Sequence, residues 1–132
     1  MKKFISLFMF IALLFLATNL LAQDETSNLP TLKGAKALIN GINKGELTIN
    51  EIIGSEITID LQGYTVIRFT VTLPIDGDLY QLPADGNKLS ERQATLVRKR
   101  AAGDKIYIEY IILQNASGEK FTVPAISLQI KN

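Results

Sequence analysis

The sequence predicts a small, mainly β domain with one short capped helix, preceded by an N-terminal apolar signal helix. Two features of the folded part support this prediction. Runs of residues from residue 56 onward alternate between apolar and polar with a period of two, which is typical of half-buried strands. A single helix-capping motif separates two groups of these runs. We assign residues 1–22 to a signal peptide, 23–31 to a linker and 32–132 to the folded domain.

The first residues have the order of a secretory signal. Lys2 and Lys3 precede an apolar run over residues 4–17, which only a serine interrupts. The run is about 14 residues, whereas a membrane-spanning helix needs about 20. We therefore expect cleavage after Ala22 and a periplasmic or secreted product. Leu20 is larger than the usual alanine at its position before the cut, so an uncleaved membrane anchor is the alternative, and only that form would contact the membrane.

Composition limits the chemistry that is open to this chain. The mature chain, from Gln23, has about 110 residues and is one domain. Without the two signal lysines, 12 basic residues face 13 acidic ones, which does not favour nucleic-acid binding. The sequence has no His and no Cys, and so lacks the common general base, thiol nucleophile and soft metal ligands. We predict that the protein is not an enzyme and has no catalytic, cofactor-binding or metal-binding residues. We also expect no cofactor, and no small-molecule substrate is evident.

One pair of carboxylates is close in sequence. Asp76 and Asp78 lie in Pro-Ile-Asp-Gly-Asp, a segment that could bind calcium or carry out acid–base chemistry. The same composition is typical of a polar turn between two strands, and the acidic residues nearby lack the spacing of an EF-hand loop. We interpret the segment as a turn.

The first half of the folded part gives weak signals and then strong ones. Residues 24–30 are polar and read as a linker, 32–42 suggest a first strand, and the apolar spacing over 45–54 suits a short helix. Two strands with clear alternation follow, over 56–62 and 65–73. We expect their core faces to carry Ile57, Ile59 and Leu61 in the first, and Ile67, Phe69, Val71 and Leu73 in the second. A short strand over 79–82 should end at Pro83.

The capping motif predicts a helix over about residues 90–101. Ser90 and Gln93 form a capping box, in which each side chain can bond to the other residue's backbone N–H. Ala94, Val97 and Ala101 recur on one helical face, and Gly103 has the position of a helix-ending glycine. The basic run 98–100 is either a binding patch or a solvated helix end whose charge suits the helix dipole, and we favour the second.

Two strands complete the chain. In residues 105–114 we expect Ile106, Ile108, Tyr110 and Ile112 on one face and Tyr107, Ile111 and Leu113 on the other. A strand that is apolar on both faces is either central or covered on its second side by the helix or a partner. A turn over 115–118 precedes the last strand, whose apolar parity switches at Pro124. Such a switch indicates a bulge or an edge strand.

These residues carry a family resemblance. The order is Leu-Ser-Glu-Arg-Gln from residue 89, then a Gly-Asp turn and Lys-Ile-Tyr-Ile-Glu from residue 103, then a Ser-Gly turn and Val-Pro-Ala-Ile-Ser-Leu-Gln-Ile from residue 123. This order resembles the C-terminal domain of GldM, the gliding-motility and type IX secretion protein of Bacteroidetes. Tyr110 stands where an acidic residue is usual in that family. The resemblance covers about 32–131 and is most specific after residue 89.

The resemblance implies more than the spacing does. It implies an immunoglobulin-like β sandwich with one helix, a periplasmic location and a role that is not enzymatic. GldM is a dimer that links an inner-membrane motor to outer-membrane parts of type IX secretion. This sequence lacks the long helical region and the earlier periplasmic domains of GldM. We therefore expect the fold and the binding character to carry over, rather than the motor-linking role.

The sequence thus predicts a non-catalytic exported interaction module of the cell envelope. Its partner would be an envelope protein or a second copy, docked on exposed strand edges or on the second face of residues 105–114. Two alternatives stay open. The first is a structural subunit tethered by an uncleaved N-terminal helix. The second is a hydrolase on a β scaffold, which would need a cleft that gathers three carboxylates.

Overall fold

The computed structural model describes residues 28–132, and the predicted signal peptide and its cleavage site lie outside them. Within this range the chain is mainly β, as predicted. The elements in chain order are β1 (Ala37–Ile39), β2 (Lys44–Leu47), α1 (Ile49–Gly54), β3 (Ile57–Ile59), β4 (Tyr64–Ile75), β5 (Asp78–Asp85), α2 (Glu91–Arg98), β6 (Lys105–Asn115), β7 (Lys120–Val123) and β8 (Ile126–Ile130). Neither helix is long and apolar enough to cross a membrane, and this finding applies to the described residues alone.

A six-stranded mixed sheet is the main layer. Its order is β2-β8-β6-β4-β5, with β7 beside the second half of β6. Only the β2–β8 pair is parallel among these pairings. β6 therefore lies at the centre, with β4 on one side and β7 and β8 on the other. A central position was one of the two alternatives that its strongly apolar sequence predicted.

The second layer is small and covers one face of this sheet. It consists of the antiparallel pair β1–β3 together with α1 and α2. Their buried side chains join the same core as those of the large sheet, and they include Ala37, Ile39, Ile52, Ile57 and Val97. The expected immunoglobulin-like sandwich is not confirmed, because two three-residue strands and two helices stand where a second full sheet would be.

In β4, in β6 and between β7 and β8, the alternation of core-facing residues shifts by one position, and these shifts lie at the same level of the sheet. In β6 the core residues are Ile106 and Ile108 and then Ile111 and Leu113, because Tyr110 forms a bulge with φ 50° and lies exposed. The prediction that Tyr110 and Ile112 share the core face of Ile106 and Ile108 was wrong, since Ile112 is buried on the side of β6 opposite Ile111 and Leu113. The predicted switch at Pro124 is confirmed, but this residue separates two strands, β7 and β8, where a single last strand was predicted.

The same level is irregular in β4. The pairing of β4 with β6 shifts on both sides of Arg68. As a result Val66 and Phe69 are buried and Ile67 is partly exposed, contrary to the predicted core face. Because neighbouring strands shift their alternation at the same level, apolar side chains face the core on both sides of the irregularity.

Both helices begin with a capping box. At α2, Ser90 Oγ accepts from the backbone N–H of Gln93 at 3.1 Å, and Gln93 Oε1 accepts from that of Ser90 at 2.9 Å, as predicted. The helix nevertheless ends at Arg98. Gly103 belongs to the turn that follows, in which the Asp104 N–H donates to the Ala101 carbonyl, so its assignment as the helix-ending glycine was wrong.

Three further segments differ from the predictions at their ends. β3 stops at Ile59, and Leu61 lies in the turn after it with 43% of its surface exposed rather than on the core face. The segment over 45–54 contains the end of β2 as well as α1. Before β1, the Pro30 carbonyl accepts from the N–H of Thr122 at 2.9 Å, so the chain joins the sheet within the predicted linker.

Candidate interaction surface

β5 forms one edge of the large sheet. It pairs with β4 along its whole length, from Ile75 opposite Asp78 to Arg68 opposite Asp85. Its other side meets no strand of the described part of the chain. The strand is twice as long as the predicted segment 79–82, because it continues through Pro83 instead of ending there.

A two-residue turn joins β4 to β5. Asp76 and Gly77 both have positive φ, 50° and 84°, which is the conformation of a type I′ hairpin turn. Glycine adopts this conformation without cost, so the Asp-Gly dipeptide explains why the chain reverses here. The interpretation of Asp76 and Asp78 as part of a polar turn is confirmed, and both carboxylates lie exposed at its tip.

The turn also fixes which backbone groups of β5 point outward. In such a hairpin the residues that flank the turn, Ile75 and Asp78, form a hydrogen-bonded pair, and every second residue of β5 then bonds to β4. The N–H of Gly86 continues this series by donating to the Ile67 carbonyl at 2.7 Å. The backbone groups of the intervening residues therefore face away from the sheet, at positions 79, 81, 83 and 85.

Pro83 occupies one of these outward positions. Proline has no N–H to donate, and within sheets it is confined to such edges. Our sequence prediction took it as the end of the strand. A proline directly after a short, mostly apolar run was the available signal for an edge strand, and it was missed.

Two large apolar side chains project from β5. Leu79 is 66% exposed and Tyr80 is 47% exposed, and these are the largest exposed fractions among the big hydrophobic residues described. They lie on opposite faces of the strand, since successive side chains alternate. Such exposure beside an unpaired backbone edge is unusual, because proteins commonly protect their edge strands from new pairing.

Side chains on both faces of the sheet bond to the edge strand. The side chain of Gln93 is fully buried, and its Nε2 donates to the Leu82 carbonyl at 2.7 Å. Arg68 forms a salt bridge with Asp85 at 2.8 Å. Neither Asp76 nor Asp78 has an ion-pair partner among the described residues. The tip of the β4–β5 hairpin is therefore acidic as well as apolar.

The opposite edge of the sheet differs. β2 has only four residues, and its exposed side chains are Lys44 and Glu46. A short, charged edge is poorly suited to pairing with another strand. Of these two edges, β5 is the longer one and the one that exposes large apolar side chains.

The second face of β6 is less apolar than the sequence indicated. The bulge at Tyr110 turns Ile111 and Leu113 into the core. On the outer face, Glu109 accepts a hydrogen bond from Thr72 Oγ1 at 2.7 Å, and Tyr107 is half-buried beside them. The structure thus removes much of the apolar surface that suggested docking on this face.

The remaining candidates do not form a chemical site. The described residues include no group of three His, Cys, Asp or Glu side chains that could hold a metal ion. Of three surface hollows, one is lined in part by Glu46, and the other two have no Asp or Glu in their lining. In the basic run, Arg98 pairs with Glu91 at 3.3 Å and Lys99 is exposed, which agrees with a solvated helix end for these two residues. Arg100 differs, because it is half-buried and its Nε has no hydrogen-bond partner in the described part of the chain.

The fold and the edge together define a small β domain with one long edge strand open to pairing. A family model described as the GldM C-terminal domain matches residues 42–131, and the chain belongs to this family. The resemblance seen in the sequence is therefore confirmed. No curated protein matches the chain closely enough to serve as a relative. The family relates the chain to cell-envelope proteins of gliding motility and type IX secretion.

Proposed function

We propose that this chain is an exported, non-catalytic protein-interaction module of the cell envelope that associates with gliding-motility or type IX secretion machinery. Membership of the GldM C-terminal domain family supports the setting. The observation that carries the interaction is β5, an eight-residue edge strand that exposes Leu79 and Tyr80 next to unpaired backbone groups.

The composition supports a role without catalysis. No His or Cys is present to act as base, nucleophile or ligand, and the carboxylates of the hairpin tip are held in a turn rather than in a cleft. The hydrolase alternative required three carboxylates gathered in one cleft, and nothing in the described part of the chain favours it.

The interaction can be tested by crosslinking the protein in intact cells of its native host. We expect the wild-type chain to co-purify with envelope proteins, and Leu79→Asp to lose most of this association because it places a charge on the apolar edge. Leu61→Asp is the matched control, since Leu61 is also an exposed leucine but lies in the turn after β3. Recovery of the free monomer alone from wild-type cells would contradict the proposed function.

The N-terminus decides between a free module and a tethered subunit. The short apolar run favours cleavage after Ala22, so we expect mass spectrometry of the protein isolated from the envelope to find Gln23 as its first residue. A chain that starts at Met1 or Lys2 would instead support the tethered structural subunit, docked through the same edge.

A further inference from the structure

We propose that the outer edge of β5 binds an extended segment of another envelope polypeptide as an additional strand of the sheet, and that this segment carries apolar residues flanked by a lysine or arginine. The inference rests on the proposed function and specifies its partner. It names the binding mode, the stretch of β5 that is used and the chemistry of the partner segment.

The backbone defines where an added strand can pair. Leu79 and Gln81 each present an outward N–H and C=O, and Pro83 presents a C=O alone. Main-chain hydrogen bonds to such groups provide the affinity when a peptide extends a sheet edge. Pro83 interrupts the row of donors, so the paired stretch is expected to lie between the hairpin tip and residue 83.

The side chains define what the segment carries. An added strand places alternate side chains on the two faces of the sheet, beside Leu79 on one face and beside Tyr80 on the other. Apolar side chains of the partner that cover these two residues remove apolar surface from water, which stabilises the complex. Polar side chains at the same positions would contribute less. Apolar residues on both faces of the bound segment therefore match this stretch.

The charges distinguish between possible occupants. The carboxylates of Asp76 and Asp78 lie at the tip without an ion-pair partner among the described residues, while Arg68 already neutralises Asp85. A second copy that paired antiparallel over residues 79–83 would place each acidic tip beside Asp85 of the other copy, whose neighbour Arg68 is already engaged. Like charges placed together destabilise a strand pair. A partner segment with a lysine or arginine near the tip turns the same charges into attraction. The edge thus favours a different polypeptide over self-association.

The test replaces Tyr80 with the photo-crosslinking amino acid p-benzoylphenylalanine in the full-length protein in its native host. After irradiation, mass spectrometry locates the adduct on the partner. We expect one contiguous segment of another envelope protein that contains apolar residues and a lysine or arginine. Adducts to a second copy of the chain, or no adduct at all, would overturn the inference.

Two substitutions at Gln81 test the backbone pairing itself. Gln81→Pro removes the outward N–H, and we expect it to reduce the adduct yield about tenfold. Gln81→Ala keeps that N–H and should change the yield less than twofold. Equal yields in the two variants would show that side chains alone hold the partner, which would overturn strand addition.

Asp78→Lys provides an independent test that leaves the edge backbone unchanged. It should reduce the adduct yield severalfold, and an unchanged or higher yield would contradict a basic partner segment. Thermal melting of each variant shows whether it is folded. If Gln81→Pro does not fold, Asp78→Lys still tests whether the partner segment is basic. Should these tests fail while Leu79→Asp still abolishes co-purification, the proposed function survives and only the mode of binding is wrong.

Discussion

Glu51 and Gln93 occupy the same position in two capping boxes, and only one of them can titrate. The carboxylate of Glu51 accepts from the Thr48 N–H at 3.0 Å and from Asn40 Nδ2 at 2.8 Å. Hydrogen bonds from the backbone and then the side chain of Thr48 lower the pKa of Glu51, and the positive charge of Lys131 lowers it further. Gln93 makes the corresponding bond at α2 without a charge.

This difference predicts a pH dependence of stability. Because the pKa of Glu51 is lower in the folded than in the unfolded chain, its contribution is present above the unfolded pKa and is lost as pH falls through the folded pKa. Glu51→Gln keeps the accepting oxygen but does not titrate. We expect the wild type to be more stable than the variant at pH 7 and this advantage to disappear between about pH 5 and 3.

Thermal melting of both proteins across this pH range is the measurement. Glu46→Gln is a suitable control, because Glu46 is an exposed carboxylate of β2 with no salt bridge among the described residues. A difference between wild type and Glu51→Gln that stayed constant down to pH 3 would show that the capping carboxylate is not the titrating group.

At the scale of elements, Gln93 joins α2 to the edge strand. Its Oε1 caps the N–H of Ser90, and its Nε2 bonds to the Leu82 carbonyl of β5 with no exposure to solvent. A single side chain therefore fixes the start of the helix and positions the strand that we propose to bind a partner.

Gln93→Glu tests this connection. The variant keeps an oxygen for Ser90 but loses the donor to Leu82 and buries a carboxylate, so we expect a loss of about 3 kcal/mol in the free energy of unfolding at pH 7. Burial raises the pKa of such a carboxyl, and part of the loss should return at pH 5. Urea denaturation at both pH values measures the effect, and equal stability of variant and wild type would refute the connection.

The elements also show what sequence could and could not predict. The capping box at Ser90 was predictable because both of its partners lie within four residues. The bulge at Tyr110 was not, since it depends on the registers of β4 and of the last two strands, and no glycine in β6 marks it. That miss led to an apolar second face on β6, which had been a candidate docking site.

At the scale of the whole molecule, pairing between distant segments was the hardest feature to predict. β2 runs parallel to β8, more than 80 residues later, as the pairing of Lys44 with Ser127 shows. Nothing local to either strand encodes that choice. The sequence resemblance nevertheless identified the family, because the order of a capped helix, turns and alternating strands is a linear pattern and does not require the pairing to be known.

The core joins these distant segments, and Ile108 lies at its centre. It is fully buried, and it stands between Val71 of β4 and Ile126 of β8 in the middle of the sheet. Ile108→Asp should lower the free energy of unfolding by about 3–5 kcal/mol, because it leaves an unpaired charge in the core. Domains of this size have only about 5–15 kcal/mol in total, so this variant is expected to melt at a clearly lower temperature than the wild type.

A milder substitution keeps the effect measurable. Ile108→Val removes one methylene and should cost about 1 kcal/mol, with the same slope of unfolding free energy against urea as the wild type. Lys105→Asp is the control for introducing an aspartate into β6, since Lys105 is exposed at the start of the same strand. If Ile108→Asp melted at the same temperature as Lys105→Asp, the position of Ile108 in the core would be wrong. The single core that joins both layers through the centre of β6 would then have to be abandoned.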